Sequence, residues 1–317
     1  MRTALIIGTE VATNGLESGA SIRVDSIKNL LIKNGYRVDI TSRVHARNAL
    51  TSDWDLVVLV SFSTSKFLRL ARKKATIIWF DPTDSWSQTR ISLFCKGDVK
   101  QILLLMRDLF WIWTAPNVDL ITFITQRDSN KEQAWWKNRS SPLILPVQGL
   151  DREVKLGNEP RLVFIGDGSY GPNKDALTFL TQTLKYLPSS LNIHVFGSGV
   201  SDPNSKFIIH GYVPRSELYT ARDIHLAPIT LGGGLKLKVA VPLWNGLHVV
   251  STQEAAVGFK DSDSLEIANT PKEFADAITK LLGVEFPKKP VKPLSAIYVD
   301  DQTILVDEWL AKLSVTE

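Results

Sequence analysis

Cysteine is almost absent: in 317 residues there is one, Cys95, beside 5 histidines and 2 methionines. A single thiol excludes an intrachain disulfide and a cysteine-based zinc cluster, and it fits a reducing compartment. No grouping of His with Asp suggests a metal site, so no metal ion is expected. Long apolar runs are missing as well. No stretch reaches the ~18 residues of a membrane-spanning helix. The apolar segment Ala4–Ile7 stops at Gly8, too short for the core of a secretory signal. The predicted location is therefore cytoplasmic. Charge of one sign is also scarce, since 37 basic against 33 acidic residues leave a net charge of +4. Nucleic-acid binding usually needs a concentrated basic stripe, so no nucleic-acid partner is expected. So mild an excess suits anionic substrates or an anionic membrane surface.

What is present is an ordinary globular composition, 44% hydrophobic and 22% charged, in a chain long enough for about two domains. Strand-like apolar runs recur at Thr3–Thr9, Arg37–Thr41, Leu56–Ser61, Ala75–Phe80, Leu120–Thr125 and Leu143–Pro146. Helical spacing separates them at Ser21–Asn34, Lys66–Lys73 and Val99–Thr114. After a polar linker, Asp151–Pro160, the alternation restarts with strands at Leu162–Ile165, Asn192–Phe196, Phe207–His210, Ile224–Ala227 and His248–Ser251. Continuous apolar strands alternating with helices predict parallel sheets covered on both faces. A helix at Pro271–Leu282, a Pro- and Lys-rich break at Phe286–Pro293 and a last helix near Asp300–Leu313 complete the chain. The expected class is α/β, with two doubly wound, Rossmann-like domains facing each other across a cleft.

The stretch Leu226–Thr252 is the most informative. A short strand runs into Gly232-Gly233-Gly234-Leu235, then a helical segment with Lys236 and Lys238, then Gly246 and a second strand. Glycines at a strand-to-helix turn let the backbone approach a ligand closely. Exposed amides at a helix start attract anions, and nearby ammonium groups add charge. That is a recipe for holding a diphosphate. Triple glycine is equally an ordinary flexible turn, and helix lysines are commonly a solvated face. Gly166-Asp-Gly-Ser-Tyr-Gly171 also matches a dinucleotide fingerprint by spacing. Pro172 follows at once, however, and no acidic residue lies between Asp175 and Asp202 to hold a ribose, which argues against hydride transfer.

These segments resemble the donor-site signature of retaining glycosyltransferases of family four. Arg161–Leu177 resembles the opening of that family's nucleotide-binding domain, and Phe207–Tyr219 its following strand, base-pocket turn and short helix. The resemblance covers roughly residues 160 to 260 well and the first half loosely. It implies a GT-B fold: residues 1–156 as an acceptor-side domain, 157–292 as the nucleotide-sugar domain, and 293–317 as a helix crossing back to the first. By the same resemblance, Gly168, Lys174, Tyr212, Val213, Gly232, Gly233, Gly234, Leu235 and Lys236 bind the donor and Lys238 serves catalysis. A Gly-containing loop with Gly19 and Arg23 borders the acceptor. Family members usually carry a glutamate three residues after the position of Lys238, and a second one earlier. Here those positions are Val241 and about Gly233.

In the first half, Trp79-Phe-Asp-Pro-Thr-Asp-Ser-Trp86 ends a strand, where Asp81 or Asp84 could orient an acceptor hydroxyl or accept its proton. Asp-Pro-Thr-Asp is also normal turn chemistry. The helix Val99–Trp113 is apolar nearly all round, which predicts burial. Its aromatic end, with Trp135-Trp136-Lys137-Asn138-Arg139, also suits a water–lipid boundary. The sequence thus predicts an enzyme that moves a sugar from a nucleotide-diphosphate donor to a glycan or lipid-linked acceptor with retention. It would use no cofactor beyond its nucleotide-sugar substrate and would touch the inner face of an anionic membrane. The alternative is a binding or partner subunit of the same fold with weak or no catalysis.

Overall fold

A computed structural model describes residues 1–13, 18–95, 97–132, 142–200, 206–214, 217–230, 233–283 and 297–313. Contacts divide the chain into two units, Met1–Gly149 with Asp300–Glu317, and Leu150–Val299.

Unit 1 begins with β1 (Thr3–Gly8), α1 (Glu10–Thr13), α2 (Gly19–Lys33), β2 (Arg37–Ser42), α3 (Ala46–Ala49) and β3 (Trp54–Val60). A 3-10 helix, Phe62–Phe67, leads into α4 (Leu68–Arg72), then β4 (Ala75–Thr83), α5 (Trp86–Cys95) and α6 (Lys100–Trp113). β5 (Leu120–Phe123), α7 (Gln126–Glu132) and β6 (Leu143–Ile144) follow. The strands are parallel in the order β2-β1-β3-β4-β5-β6. The inner strands are apolar on both faces because helices cover both, so Leu5 and Ile7 join one core while Ala4 and Ile6 join the other. The start of α2 is fixed by a capping box in which Ser18 and Ser21 satisfy each other's backbone amides. Its end is marked by Gly35 at φ 80°.

Unit 2 runs β7 (Arg161–Ile165), α8 (Gly171–Thr183), β8 (Ile193–Phe196), β9 (Phe207–Gly211), β10 (Asp223–Ala227), α9 (Leu237–Trp244), β11 (His248–Ser251), β12 (Leu265–Ile267) and α10 (Pro271–Leu282). Its sheet is also parallel, in the order β12-β11-β10-β7-β8-β9. The chain returns to unit 1 as α11 (Thr303–Leu313), whose Val306 and Leu310 join the core that contains Trp79 and Leu145.

Both sheets start in the middle and grow first to one side, then to the other. The direction changes between β1 and β3 in unit 1 and between β7 and β10 in unit 2. At such a switch point the loops from neighbouring strands diverge, leaving a crevice at the carboxyl edge where open α/β sheets bind ligands.

One expectation is overturned. Helix α6 is not buried all round: it packs Leu105, Leu109 and Ile112 on the unit 1 core and leaves a second apolar side in solvent. Gln101, Asp108 and Ile112 are its buried residues, whereas Leu103 is 69% and Trp113 72% exposed, with Met106 and Phe110 on the same side. Helices α1, α3, α5 and α7 and strand β12 were not foreseen. Trp135–Arg139 and Phe286–Pro293 lie outside the described residues.

Candidate functional site

At the unit 2 switch point, β7 leaves through Gly166-Asp-Gly-Ser-Tyr170 into α8. The backbones here are too close for side chains. A Cβ on Gly168 would stand 2.5 Å from the Gly199 carbonyl oxygen, and one on Gly197 2.0 Å from that of Gly166. Hydrogen bonds from the Gly166 and Gly168 amides to Phe196 and Ser198, 2.8 Å each, knit the loops after β7 and β8 together. Gly168, Ser169, Lys174, Thr178, Gly199 and Val200 line a cavity of about 490 Å³ there, and Lys174 is exposed at its rim.

On the β10 side, the glycine turn enters α9. Gly234 has φ 70°, a conformation that disfavours side chains. Lys236 is the N-cap of α9 and folds its ammonium back onto the Gly233 and Gly234 carbonyls, so it closes the turn. Leu235 is half-buried, and Gly232 lies outside the described residues.

Lys238 spans the switch point. Its Nζ donates to Asn173 Oδ1 of α8 at 2.7 Å and sits 4.4 Å from the centroid of the Phe164 ring on β7. Asn173 is held in turn, its Nδ2 donating to the Asp167 carbonyl at 2.8 Å. Among the described residues no carboxylate pairs with Lys238. Burial, then the neighbouring Lys236 ammonium, push its pKa down to about 7. A half-buried ammonium with no counter-charge among the described residues, beside glycine loops at a switch point, is an arrangement that can attract an anion. Asn173 was missed by sequence reasoning, since one Asn in a helix's first turn carries no signal until the fold brings it to Lys238.

Tyr212 and Val213 follow β9, two strands from β7 and so roughly 10 Å along the sheet edge. Tyr212 is 84% exposed. Val241 is buried within α9, so the position expected to carry a ribose-gripping glutamate offers only an apolar side chain to the core.

In unit 1 the structure places Arg23 and Asp81 together but not at a surface. Both are buried. Arg23 donates twice to the Asp81 carboxylate and also to the Leu145 carbonyl, and Thr122 Oγ1 donates to the same carboxylate. With its oxygens enclosed, Asp81 serves as an internal tie between α2, β4 and β5, and the expectation that it or Arg23 meets an acceptor is corrected. Gly19 is exposed at the start of α2, and Gly15 lies outside the described residues.

Asp84 does reach a cavity, of about 550 Å³, at the carboxyl ends of β3 and β4, with Ser61, Lys66, Trp86, Arg90 and Arg107 in its wall. Ser61 (φ 79°), just after β3, and Thr83 (φ 73°), the last residue of β4, are the non-glycine residues with positive φ among those described. Such strain costs of order 1–3 kcal/mol each and gathers at functional sites. Sequence reasoning missed these cations because they come from elements far apart along the chain.

Compared with known proteins, residues 159–283 match the family model described as Glycosyl transferases group 1. No curated protein sequence matches the chain. Among solved structures it is similar to the apo form of the lipopolysaccharide outer core galactosyltransferase WaaB, at 10% identity over 99% of this chain and 95% of that one, TM-score 0.52. It is also similar to an α,α-trehalose 6-phosphate synthase from Burkholderia multivorans, at 9% identity over 99% and 96% of the chains, TM-score 0.54. A UDP-GlcNAc 2-epimerase from Methanocaldococcus jannaschii matches at 10% identity over 98% and 100%, TM-score 0.50. These likenesses establish the fold: two Rossmann-like units of the GT-B type.

Proposed function

We propose that this chain is a glycosyltransferase that moves a sugar from a nucleotide-diphosphate donor to a hydroxyl of a glycan or lipid-linked acceptor, with retention of configuration. The observation that carries this reading is Lys238, a cation with no paired carboxylate among the described residues, inside the segment that matches the glycosyltransferase model. Sugar transfer from such a donor loads negative charge onto the departing diphosphate. Fixed positive groups at that position lower the barrier without reorganising. Lys238 would meet the diphosphate, helped by amides of the glycine turn Gly232–Gly234. Lys174 and Gly168 would border the donor from the β7 side, and Tyr212 and Val213 would flank the base. Asp84 remains the carboxylate in unit 1 that can act on an acceptor hydroxyl. In this reading the outward apolar face of α6 touches a membrane that carries the acceptor.

The second reading is a GT-B-like binding or partner subunit without turnover. It is favoured by the buried Val241, because a lost ribose-gripping carboxylate removes charge-assisted hydrogen bonds of ~1.5–3 kcal/mol each.

Titrating nucleotide sugars while following transfer and hydrolysis separates the two. Turnover that disappears in Lys238→Ala supports the enzyme; tight binding without transfer to any glycan or lipid acceptor supports the subunit. Lys238→Ala and Lys174→Ala should each weaken diphosphate binding at least about tenfold, equivalent to ~1.4 kcal/mol. Unchanged affinity in both removes the site assignment.

A further inference from the structure

From the unit 1 cavity we infer a second anion site, built to hold the phosphoryl or pyrophosphoryl group of a ligand other than the donor. The wall is cationic: Lys66, Arg90 and Arg107 line it together with Arg43. Facing them are two lining carboxylates, Asp84 and Asp108, so positive groups are in excess. Glu10 pairs with Arg43, so the excess comes from Lys66, Arg90 and Arg107 against Asp84 and Asp108. Asp108, 2% exposed, is shared between Arg90 (3.2 Å) and Arg107 (2.6 Å), so one buried carboxylate holds two guanidinium groups at the cavity. Gln101 fixes Arg90 from the other end at 2.8 Å. Arg43 is aimed from the end of β2 by Glu10, 2.8 Å away. Lys66 is exposed, and no ion pair among the described residues engages it.

Trp86, stacked on Phe62 at 4.2 Å, and Ser61, at φ 79°, lie in the same wall. Gln101 and Asp108 turn inward on α6, where they hold arginines. A tetrahedral oxyanion with several acceptor oxygens is what clustered guanidinium and ammonium donors bind.

That this anion belongs to the acceptor rests on the transferase reading; the anion site itself does not. The group could arrive on a soluble phosphate ester or at the head of a lipid, since Trp111 lines the cavity from the helix whose other face exposes Leu103, Phe110 and Trp113.

The test is the stoichiometry of pyrophosphate bound to the full chain by equilibrium dialysis, with a parallel sedimentation assay on phosphatidylcholine vesicles with and without phosphatidic acid. Wild type should bind pyrophosphate at two sites. The double variant Lys66→Ala, Arg107→Ala, at exposed or half-exposed positions, should lose one of them, its affinity falling at least about tenfold. Lys238→Ala should lose the other. Vesicle binding that needs phosphatidic acid and disappears in the double variant identifies a lipid source; binding of pyrophosphate alone identifies a soluble one. If the double variant changes neither pyrophosphate stoichiometry nor vesicle binding while its melting curve matches wild type, the unit 1 site is refuted. The Lys238→Ala result stands apart, so failure of the donor reading is seen separately.

Discussion

Lys238 carries more of the account than any other residue, and it does so at a cost to folding. Its folded pKa of about 7 lies below the ordinary 10.5. The unfolded chain therefore binds more protons between those values, and stability rises as pH is raised from 7 toward 10.5. Below pH 7 the full penalty of housing the cation is present. An uncharged, similar-sized side chain escapes it, so Lys238→Met should raise the melting temperature of the ligand-free protein at neutral pH while weakening diphosphate binding at least about tenfold. The expected gain is on the order of 1–2 kcal/mol after the lost bond to Asn173 is set against it. A thermal melt at pH 6.5 and at pH 10 checks the sign, because the difference should shrink at the higher pH. Arg23 and Asp81 teach the opposite lesson. From sequence they look like site residues, but their burial makes them a structural tie whose work is internal.

At the scale of elements, most strands were legible because buried parallel strands are apolar on both faces, as in Leu5–Ile7 and Val57–Val60. Helix α10 was legible to its ends because Thr270, Pro271 and Glu273 form a capping box with proline at the first helical position. Helices α5 and α7 were not. α5 mixes apolar and polar residues without a clear stripe, and α7, Gln-Arg-Asp-Ser-Asn-Lys-Glu, is wholly polar, its inward Asp128 and Glu132 bonding to Ser85 and Ser87. α6 deceived in the other direction, since an apolar composition does not say which way a helix faces. The outward apolar side, with Leu103 and Phe110 exposed, makes a prediction contrary to ordinary patterning. Leu103→Ser and Phe110→Ser should each move unfolding free energy within about 0.5 kcal/mol, as surface changes do. Asp108→Ala should cost about 1–3 kcal/mol, because it unmakes a buried hydrogen-bonded group. Urea melts of the three variants rank them; the reverse order would mean that Leu103 and Phe110 are packed and Asp108 is not.

At the scale of the whole molecule, both units use the same device, a parallel sheet whose growth reverses and leaves a crevice at its carboxyl edge. The glycine turn and Lys238 of unit 2 were readable because they lie close together in sequence. Asn173 and the cations of unit 1 were not, because only strand order brings their elements side by side. The positions of Val241 and Gly233 show the limit of reading by resemblance: the fold is kept while two expected carboxylates are gone. The central claim is that a diphosphate docks on Lys238 and so recharges it. Calorimetric titration with uridine, guanosine, adenosine and thymidine diphosphates at pH 8, repeated in buffers of different ionisation enthalpy, measures the protons taken up. For the diphosphate that binds, wild type should take up about one proton and Lys238→Met none, with affinity falling about tenfold per pH unit above 7 in wild type only. Equal affinity and no proton uptake in both proteins would contradict it.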